Sequence, residues 1–412
     1  MDFEDTKEEA EFRAKAIAFL DSHRERKADV EHTMSSADDR VAMLKEAKEW
    51  QVLKFDAGFT GMTVSKDYGG QGLPQIFQVI YNQEESKYVV PRGVFDIGLG
   101  MCIPTMLAFA TEEQKSKYAV PAFRGDEIWC QLFSEPAGGS DLAGLRTRAV
   151  QDGDDWIING QKIWTTGAQF SDYGIIVTRS DFDVAKHKGL TFFFLDMKSA
   201  GVEVKPIKQA SGASNFNEVF FTDVRIPDSQ RLGDVGQGWQ VSLTTLMNER
   251  FSITNSPPPN FQEVFDLVRS AELEDGPAMA DSAVREKLAD WYVREQGVKL
   301  TNFRTMTALS RGGTPGPESS ISKVVAGKQW QDISSFGMDL QDIGGIVEDP
   351  DMVAALGLFQ SAYLSAPSYR IAGGTDEVLR NIIAERVLGL PADIRVDKTK
   401  PFNDLPTGRG QD

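Results

Sequence analysis

Residues 131–166 read QLFSEPAGGSDLAGLRTRAVQDGDDWIINGQKIWTT, and this stretch decides the fold. It opens with a polar loop that contains Ser134, Gly138, Gly139 and Ser140. Small residues let a backbone approach a ligand closely, and their N–H groups and hydroxyls suit a polar ring edge or a phosphate. The stretch therefore predicts a ligand-binding loop.

The second half of the stretch contains a strong turn signal. Apolar residues flank Asn159-Gly160, which predicts a two-residue β-hairpin at this dipeptide. The hairpin would bring Trp164, Thr165 and Thr166 to the end of a strand. Each half alone is typical of an ordinary glycine-rich turn or an exposed hairpin. The two halves together, at this spacing, disfavour that ordinary interpretation.

The spacing of the apolar residues changes twice along the chain. It is helical at first, becomes that of strands in the middle, and is helical again after a run of glycines near residue 236. We predict an α+β multi-domain protein with an N-terminal helical domain (1–127), a middle β-barrel-like domain (128–240), a C-terminal helical domain (241–395) and a mobile tail (396–412).

Composition restricts the possible partners. The 412 residues carry a net charge of −17, which disfavours nucleic acid and anionic membranes because their phosphates would repel the chain. The two cysteines and three histidines show no disulfide framework and no metal-ligand spacing. No leader-like start or long apolar run occurs, so we expect a cytoplasmic protein without a metal.

The loop SEPAGGSD followed by KIWTT resembles the acyl-CoA dehydrogenase family of flavoproteins, and the resemblance spans nearly the whole chain. It implies that the C-terminal domain is a four-helix bundle and that FAD is the cofactor. It also implies an acyl-CoA substrate, electron-transfer flavoprotein as the electron acceptor, a role in β-oxidation or other lipid catabolism, and a homodimer or homotetramer.

The resemblance also implies roles for single residues. The loop would lie along the flavin, Trp164 would flank the isoalloxazine, and the Thr166 hydroxyl would lie near flavin N5. A QxxGG element at 341–345 would reach the FAD of a neighbouring subunit, and a helix N-terminus at Gly374-Thr375 suits a pyrophosphate. The implied FAD-binding residues are Gln131, Ser134, Gly139, Ser140, Trp164, Thr165, Thr166, Gln341, Gly344, Gly345, Gly374, Thr375 and Glu377.

The usual catalytic carboxylate of the family is missing. Many members carry it as Glu in a YEGT motif, where this chain has Gly373, and a minority carry it before an Arg on the helix that follows the β-domain. Glu249-Arg250 stands there, so the resemblance implies Glu249 as the α-proton base. It implies Ser140, Met247 and Arg250 as substrate-binding residues. The alternative for Glu249-Arg250 is a charged pair on a solvated helix face.

Two further features keep other functions open. The RxxFG segment of many relatives is replaced by FQEVFDLVRSAELEDG at 261–276. The PGPESS segment and the ending GGTDEVLRNIIAERVLGLP resemble an actinobacterial-type branch associated with bulky acyl chains, including steroid side chains, and with heteromeric enzymes. The alternatives are thus a non-catalytic subunit that completes a partner's FAD site in a hetero-oligomer, and a flavin oxidase or monooxygenase on the same fold.

Overall fold

The computed structural model describes residues 5–27, 40–252, 258–310, 316–317, 319–347, 349, 352–395 and 397–405. The chain divides into two compact units. One unit contains residues 1–39, 73–90 and 253–392, and the other contains residues 40–72, 91–252 and 393–412. In the part of the chain that is described, no helix is both long enough and apolar enough to cross a membrane.

The described helices are α1 (Lys7–His23), α2 (Arg40–Asp56), α3 (Gln75–Glu85), α4 (Ile103–Phe109), α5 (Glu112–Arg124), α6 (Gly238–Ser252), α7 (Phe261–Ser270), α8 (Ser282–Ser310), α9 (Ser319–Leu340), α10 (Leu358–Tyr369) and α11 (Asp376–Ile382). The strands are β1 (Trp129–Leu132), β2 (Arg148–Asp152), β3 (Asp155–Thr166), β4 (Tyr173–Arg179), β5 (Leu190–Asp196), β6 (Val202–Ile207), β7 (Phe216–Pro227) and the short pair β8 (Glu272–Leu273) and β9 (Gly276–Pro277). The predicted order of helices, strands and helices is confirmed.

Strands β1–β7 form one mixed sheet in the order β1-β4-β2-β3-β7-β6, with β5 paired to β4. β1 runs parallel to β4, whereas β5 pairs with β4 in the antiparallel direction. Phe192, Phe193 and Phe194 on β5 are fully buried. Neighbouring residues of a strand point to opposite faces, so both faces of the sheet are covered here.

The predicted hairpin at Asn159-Gly160 is wrong. β3 continues through this dipeptide, and the turn that joins β2 to β3 lies at residues 153–154. Gly160 is instead a point of close approach, since an added Cβ would lie 2.6 Å from Thr147 Oγ1. The register of β3 against β7 shifts between Ile158 and Gly160, so the glycine serves a bulge in the ladder.

Helix boundaries follow local capping chemistry. Thr111 and Gln114 form a capping box at the start of α5. The helix continues past Pro121 and ends at Gly125, whose φ is +88°. Pro121 lies in the last turn, so it interrupts little of the helix, and the glycine accepts the left-handed conformation that ends it. Asp281 Oδ1 caps α8 by accepting from the N–H groups of Ala283 and Val284 at 2.8 and 3.0 Å.

The predicted mobile tail differs from the structure over residues 397–405. Phe402 is buried, and its N–H donates to Val184 O at 2.9 Å. Asn403 N donates to Phe182 O at 3.1 Å, so the segment is bound to the connection between β4 and β5. Phe402 is ordered by contacts with apolar and cationic side chains that lie far away in the sequence.

Candidate active site

The glycine-rich loop follows β1 directly and is closed by its own backbone. Glu135 N donates to Gly138 O, and Gly138 N donates to Glu135 O, both at 3.0 Å. Gly139 and Ser140 are exposed beyond this turn, and an added Cβ on Gly139 would lie 3.5 Å from Ser134 Oγ. We call residues 134–141 the flavin loop, after the role that the sequence predicts for it. Its exposed residues are all small, namely Pro136, Ala137, Gly139, Ser140 and Asp141, which lets a ligand approach the backbone closely.

A buried ion pair between Glu135 and Lys162 anchors the flavin loop to β3. Lys162 Nζ lies 2.9 Å from Glu135 Oε1 and donates to Phe133 O at 3.0 Å. The Glu135 carboxylate also accepts from the N–H groups of Arg146 and Thr147 at 2.7 and 2.9 Å. One carboxylate thus connects the loop, the start of β2 and the middle of β3.

The same contacts set the ionisation of Glu135. Burial raises the pKa of this carboxyl, but the charge of Lys162 and the hydrogen bonds from Thr147, Lys162 and Arg146 outweigh burial and hold it below its ordinary value. Glu135 is therefore ionised at neutral pH. Sequence reasoning did not single out this pair. The available signal was Lys162 itself, which stands at an even spacing from the buried Trp156 and Ile158 on one strand.

The end of β3 lies against the flavin loop. Ile163 N donates to Ser134 O at 2.9 Å, which joins the strand to the loop. The next residue, Trp164, has φ +60° and is 55% exposed, with its ring edge-on to Phe216 at 6.0 Å. The ladder register shifts between Lys162 and Thr165 at this point. A bulge with left-handed backbone at a bulky residue costs of the order of 1–3 kcal/mol and is typical of functional sites.

The two threonines after Trp164 differ in their surroundings. Thr165 is buried, and its Oγ1 has no hydrogen-bond partner among the described residues. Its backbone oxygen accepts from Asn217 Nδ2 at 2.9 Å. Thr166 is half-buried and pairs with Phe216 in the ladder. The strand end therefore carries an exposed indole, an unsatisfied buried hydroxyl and a half-buried threonine within three residues. Gln131, predicted as a further cofactor residue, lies half-buried on β1.

The QxxGG element belongs to the other compact unit and follows α9. Gln341 Nε2 donates to Gly337 O at 2.9 Å, whereas its Oε1 is buried without a partner in the described part of the chain. Gly344 O accepts from Gln360 Nε2 at 3.1 Å. An added Cβ on Gly345 would collide with the backbone oxygen of Met338. Gly345 is thus required for packing, and Gln341 retains an oxygen that a ligand could satisfy.

The two glycines before α11 have left-handed backbone conformations. Gly373 and Gly374 have φ +65° and +98°. Lys323 Nζ donates to Gly374 O at 2.6 Å, and the guanidinium of Arg370 pairs with the buried Asp376 carboxylate at 2.6 Å. These contacts fix the backbone around Gly373, where the resemblance implies the usual position of the base.

The N-terminus of α11 already has anionic and hydroxyl partners. Thr375 Oγ1 accepts from Val378 N at 3.3 Å, and Asp376 and Glu377 stand in the first turn. Hydrogen bonds from its own N–H and from Thr375 hold the pKa of Glu377 below its ordinary value. A pyrophosphate at this helix end would lie beside these carboxylates, so the predicted roles of Gly374, Thr375 and Glu377 stay predictions.

The predicted base lies on α6. The backbone of α6 includes residues 249 and 250, but the side chains of Glu249 and Arg250 lie outside the described part of the structure. Earlier in the helix, Thr245 is buried, and its hydroxyl lies 2.9 Å from that of Thr105 on α4. Met247, predicted to bind substrate, is 55% exposed.

Comparison with known proteins identifies the class. Models of the acyl-CoA dehydrogenase N-terminal, middle and C-terminal domains match residues 6–126, 130–224 and 236–388. Acyl-CoA dehydrogenase IpdE1 of Mycobacterium tuberculosis is 33% identical over 362 residues, which cover 85% of this chain and 90% of IpdE1. Acyl-CoA dehydrogenase FadE34 of the same organism is 35% identical over 360 residues, which cover 87% of this chain and 48% of FadE34. This chain spans about half the length of FadE34.

A solved structure described as "Tcur3481-Tcur3483 steroid ACAD" matches with a TM-score of 0.78 at 25% identity, covering 95% of this chain and 100% of that chain. The chain therefore belongs to the acyl-CoA dehydrogenase family, whose members are FAD flavoproteins and oxidoreductases that act on acyl-CoA. The predicted family, three-part fold and cofactor are confirmed.

Proposed function

We propose that this chain binds FAD and dehydrogenates an acyl-CoA between Cα and Cβ, with Glu249 as the base that removes the α-proton. The observation that carries the proposal is the junction of the flavin loop and β3, where Ile163 and Ser134 are hydrogen-bonded and Trp164 is exposed beside the loop. An exposed indole in a strained backbone is costly unless a ligand uses it.

The residues at this junction fit FAD. Trp164 offers an aromatic face, and Thr165 Oγ1 is a buried hydroxyl still in need of a partner. The small residues Gly139 and Ser140 leave room for a planar ring system beside them. FAD, when bound, supplies the acceptor for the substrate hydride. The chain itself must then supply the base and exclude water from the thioester.

The sequence supports Glu249 as that base. Gly373 stands where many members of the family carry the catalytic Glu, and Glu249-Arg250 stands at the alternative position on the helix that follows the β-domain. A carboxylate in an apolar thioester pocket would have a raised pKa, which suits proton abstraction near neutral pH.

The test is Glu249→Gln, which keeps the shape of the side chain and removes its basicity. We expect flavin reduction by acyl-CoA to fall by roughly 100-fold or more with FAD still bound, since a positioned base contributes about that much. Glu286→Gln on the exposed side of α8 is the matched control and keeps the wild-type rate. Flavin reduction at the wild-type rate in Glu249→Gln would exclude Glu249 as the base.

A second candidate is a subunit of a hetero-oligomer that completes its partner's FAD site. It is favoured by Gly373 at the usual base position and by the paired designation of the similar steroid ACAD structure. Absorbance spectra and sedimentation of the protein purified alone distinguish the candidates. A yellow homodimer or homotetramer supports the first, and a colourless chain that gains FAD only with a second subunit supports the other.

The substrate we propose is a bulky acyl-CoA, such as one with a steroid side chain, and the steroid ACAD designation supports this choice. An acyl-CoA panel with an artificial electron acceptor tests it. Preference for a straight short chain would contradict it. Oxygen consumption in the same assay would favour the oxidase alternative, whereas reduction of electron-transfer flavoprotein supports the dehydrogenase. A cytoplasmic location stays a prediction from the sequence.

A further inference from the structure

The C-terminal segment, residues 397–405, contacts the connection between β4 and β5 through a buried aromatic ring. Phe402 is buried, and the guanidinium carbon of Arg179 lies 3.6 Å from its ring centroid. Phe182 packs against the same ring edge-on, with centroids 5.8 Å apart. Backbone hydrogen bonds from Phe402 and Asn403 hold the ring in this position.

Arg179 is the link from this ring to the flavin loop. Its side chain is fully buried, and it donates to the backbone oxygens of Ala143, Leu145 and Lys186. Ala143 and Leu145 come directly after the flavin loop. Burial lowers the pKa of Arg179 to about 10, so the group is still charged at neutral pH. The ring of Phe402 covers one face of the buried Arg179 guanidinium. Without the ring, water would reach this face and compete for the hydrogen bonds that Arg179 makes to the backbone oxygens.

Lys186 makes a second and independent link. Its ammonium lies 2.8 Å from Asp141 Oδ1, and it also pairs with Asp397 of the C-terminal segment. Asp141 is the last residue of the flavin loop. The Lys186 side chain is itself nearly buried, so the two carboxylates meet at one partly desolvated cation. The flavin loop is thus tied to the C-terminal segment at Asp141 and again just beyond it.

We propose that residues 397–405 are a positioning strap for the flavin loop, so that FAD affinity depends on Phe402 and Asp397, neither of which lies in the loop. This inference rests on the proposed FAD binding. The strap acts through Arg179 and Lys186 and restricts the conformations of residues 134–147. A loop that is already ordered loses less conformational entropy when its ligand binds.

The experiment measures the dissociation constant of FAD for the apo-protein, together with amide hydrogen exchange of residues 134–147. We expect Phe402→Ala to weaken FAD binding by about 10-fold or more, consistent with a desolvated cation–π contact. Phe402→Leu keeps apolar volume and loses the aromatic face, so it weakens binding too. Phe402→Tyr keeps the ring and the wild-type affinity.

Hydrogen exchange separates positioning from general stability. In Phe402→Ala and Phe402→Leu, exchange should rise in residues 134–147 and stay unchanged in β6 and β7. If Phe402→Ala does not fold, Asp397→Asn serves, with an expected weakening of about 2- to 5-fold for a partly exposed ion pair. Asp393→Asn, an exposed carboxylate nearby, is its control and leaves the affinity unchanged.

Two results would overturn the strap. One is wild-type FAD affinity with unchanged loop exchange in Phe402→Leu and Asp397→Asn. The other is an exchange increase spread evenly over the whole sheet, which would mean that Phe402 only stabilises the fold. If the wild-type protein binds no FAD, the proposed function fails. Loop exchange in the same variants then still decides whether the strap restrains the loop.

Discussion

Removing one charge of the Glu135–Lys162 pair should destabilise the protein strongly. Both side chains are almost completely buried, with the Lys162 side chain 0% and the Glu135 side chain 6% exposed. Breaking a buried ion pair by removing one partner costs about 3–5 kcal/mol, because the remaining charge is left unpaired in a medium of low polarity. Lys162→Met and Glu135→Gln are the two single changes, and each nearly preserves side-chain volume.

The contacts decide which single change costs more. In Lys162→Met, Glu135 keeps the N–H groups of Arg146 and Thr147, so we expect a loss of about 3 kcal/mol. In Glu135→Gln, the Lys162 ammonium loses the only anion that pairs with it among the described residues. One carboxylate oxygen also becomes an NH2 group, which cannot accept the backbone N–H it faced, so the loss should approach about 5 kcal/mol. The double variant should lose about 2 kcal/mol less than the sum of the singles, since no unpaired charge is left.

Urea unfolding of the apo-protein, followed by tryptophan fluorescence, gives the free energies of unfolding for this cycle. The pH dependence adds a check of sign. Because the folded-state pKa of Glu135 lies below its ordinary 4.5, the pair's stabilisation is complete above that pH and is lost as the pH falls through the folded-state pKa. The deficit of Lys162→Met should therefore shrink in acid. Additive single losses, or a deficit that grows in acid, would refute the reasoning.

Three further predictions concern the other elements of the site. Gly345→Ala should cost about 2 kcal/mol of unfolding free energy because its Cβ meets Met338 O, whereas Gly344→Ala, with its nearest neighbour at 3.8 Å, serves as the nearly neutral control in the same urea titration. Thr166→Ala should shift the flavin spectrum or potential with FAD content unchanged, and an unaltered potential would count against its position beside the ring. The holo-protein should sediment as at least a dimer, and a monomer that holds FAD would exclude a QxxGG contact across subunits.

Much of the middle sheet was predictable because its signals are local. The apolar run from Phe192 to Phe194 is typical of a strand that is buried on both faces, and β5 is such a strand. Asn159-Gly160 misled the turn prediction. Its glycine is required by the close approach of Thr147, which lies just before β2, and the dipeptide alone cannot reveal a neighbour from another part of the chain.

The supports of the flavin loop were not predicted, although its exposed residues were. Exposed small residues and an indole form a recognisable pattern, but a buried charge is recognised only through its partner. Glu135 and Lys162 are 27 residues apart in the sequence. Arg179 and Phe402 are separated in the sequence by the long helical region that contains α6–α11. Lys162 at an inward strand position was the one usable sign, because a lysine on a buried face requires an anion.

Gly373 gives a last prediction, on whether the usual base can be restored. Its φ of +65° is fixed by the neighbouring Lys323–Gly374 and Arg370–Asp376 contacts, and a side chain in this conformation costs about 1–2 kcal/mol. We therefore expect Gly373→Ala to lower the free energy of unfolding by about 1 kcal/mol. Gly297→Ala, in the interior of α8 with open space around it, should raise it by about as much.

The same strain bears on catalysis. Gly373→Glu would have to adopt the left-handed backbone or break the two contacts that fix it, so its carboxylate would not take a defined position. We expect no recovery of flavin reduction when Gly373→Glu is added to Glu249→Gln, measured by stopped-flow absorbance with acyl-CoA. Recovery of turnover in the double variant would show that this backbone yields easily. One substitution would then restore the usual carboxylate, and the backbone conformation at Gly373 would not be the reason why this chain lacks a base at that position.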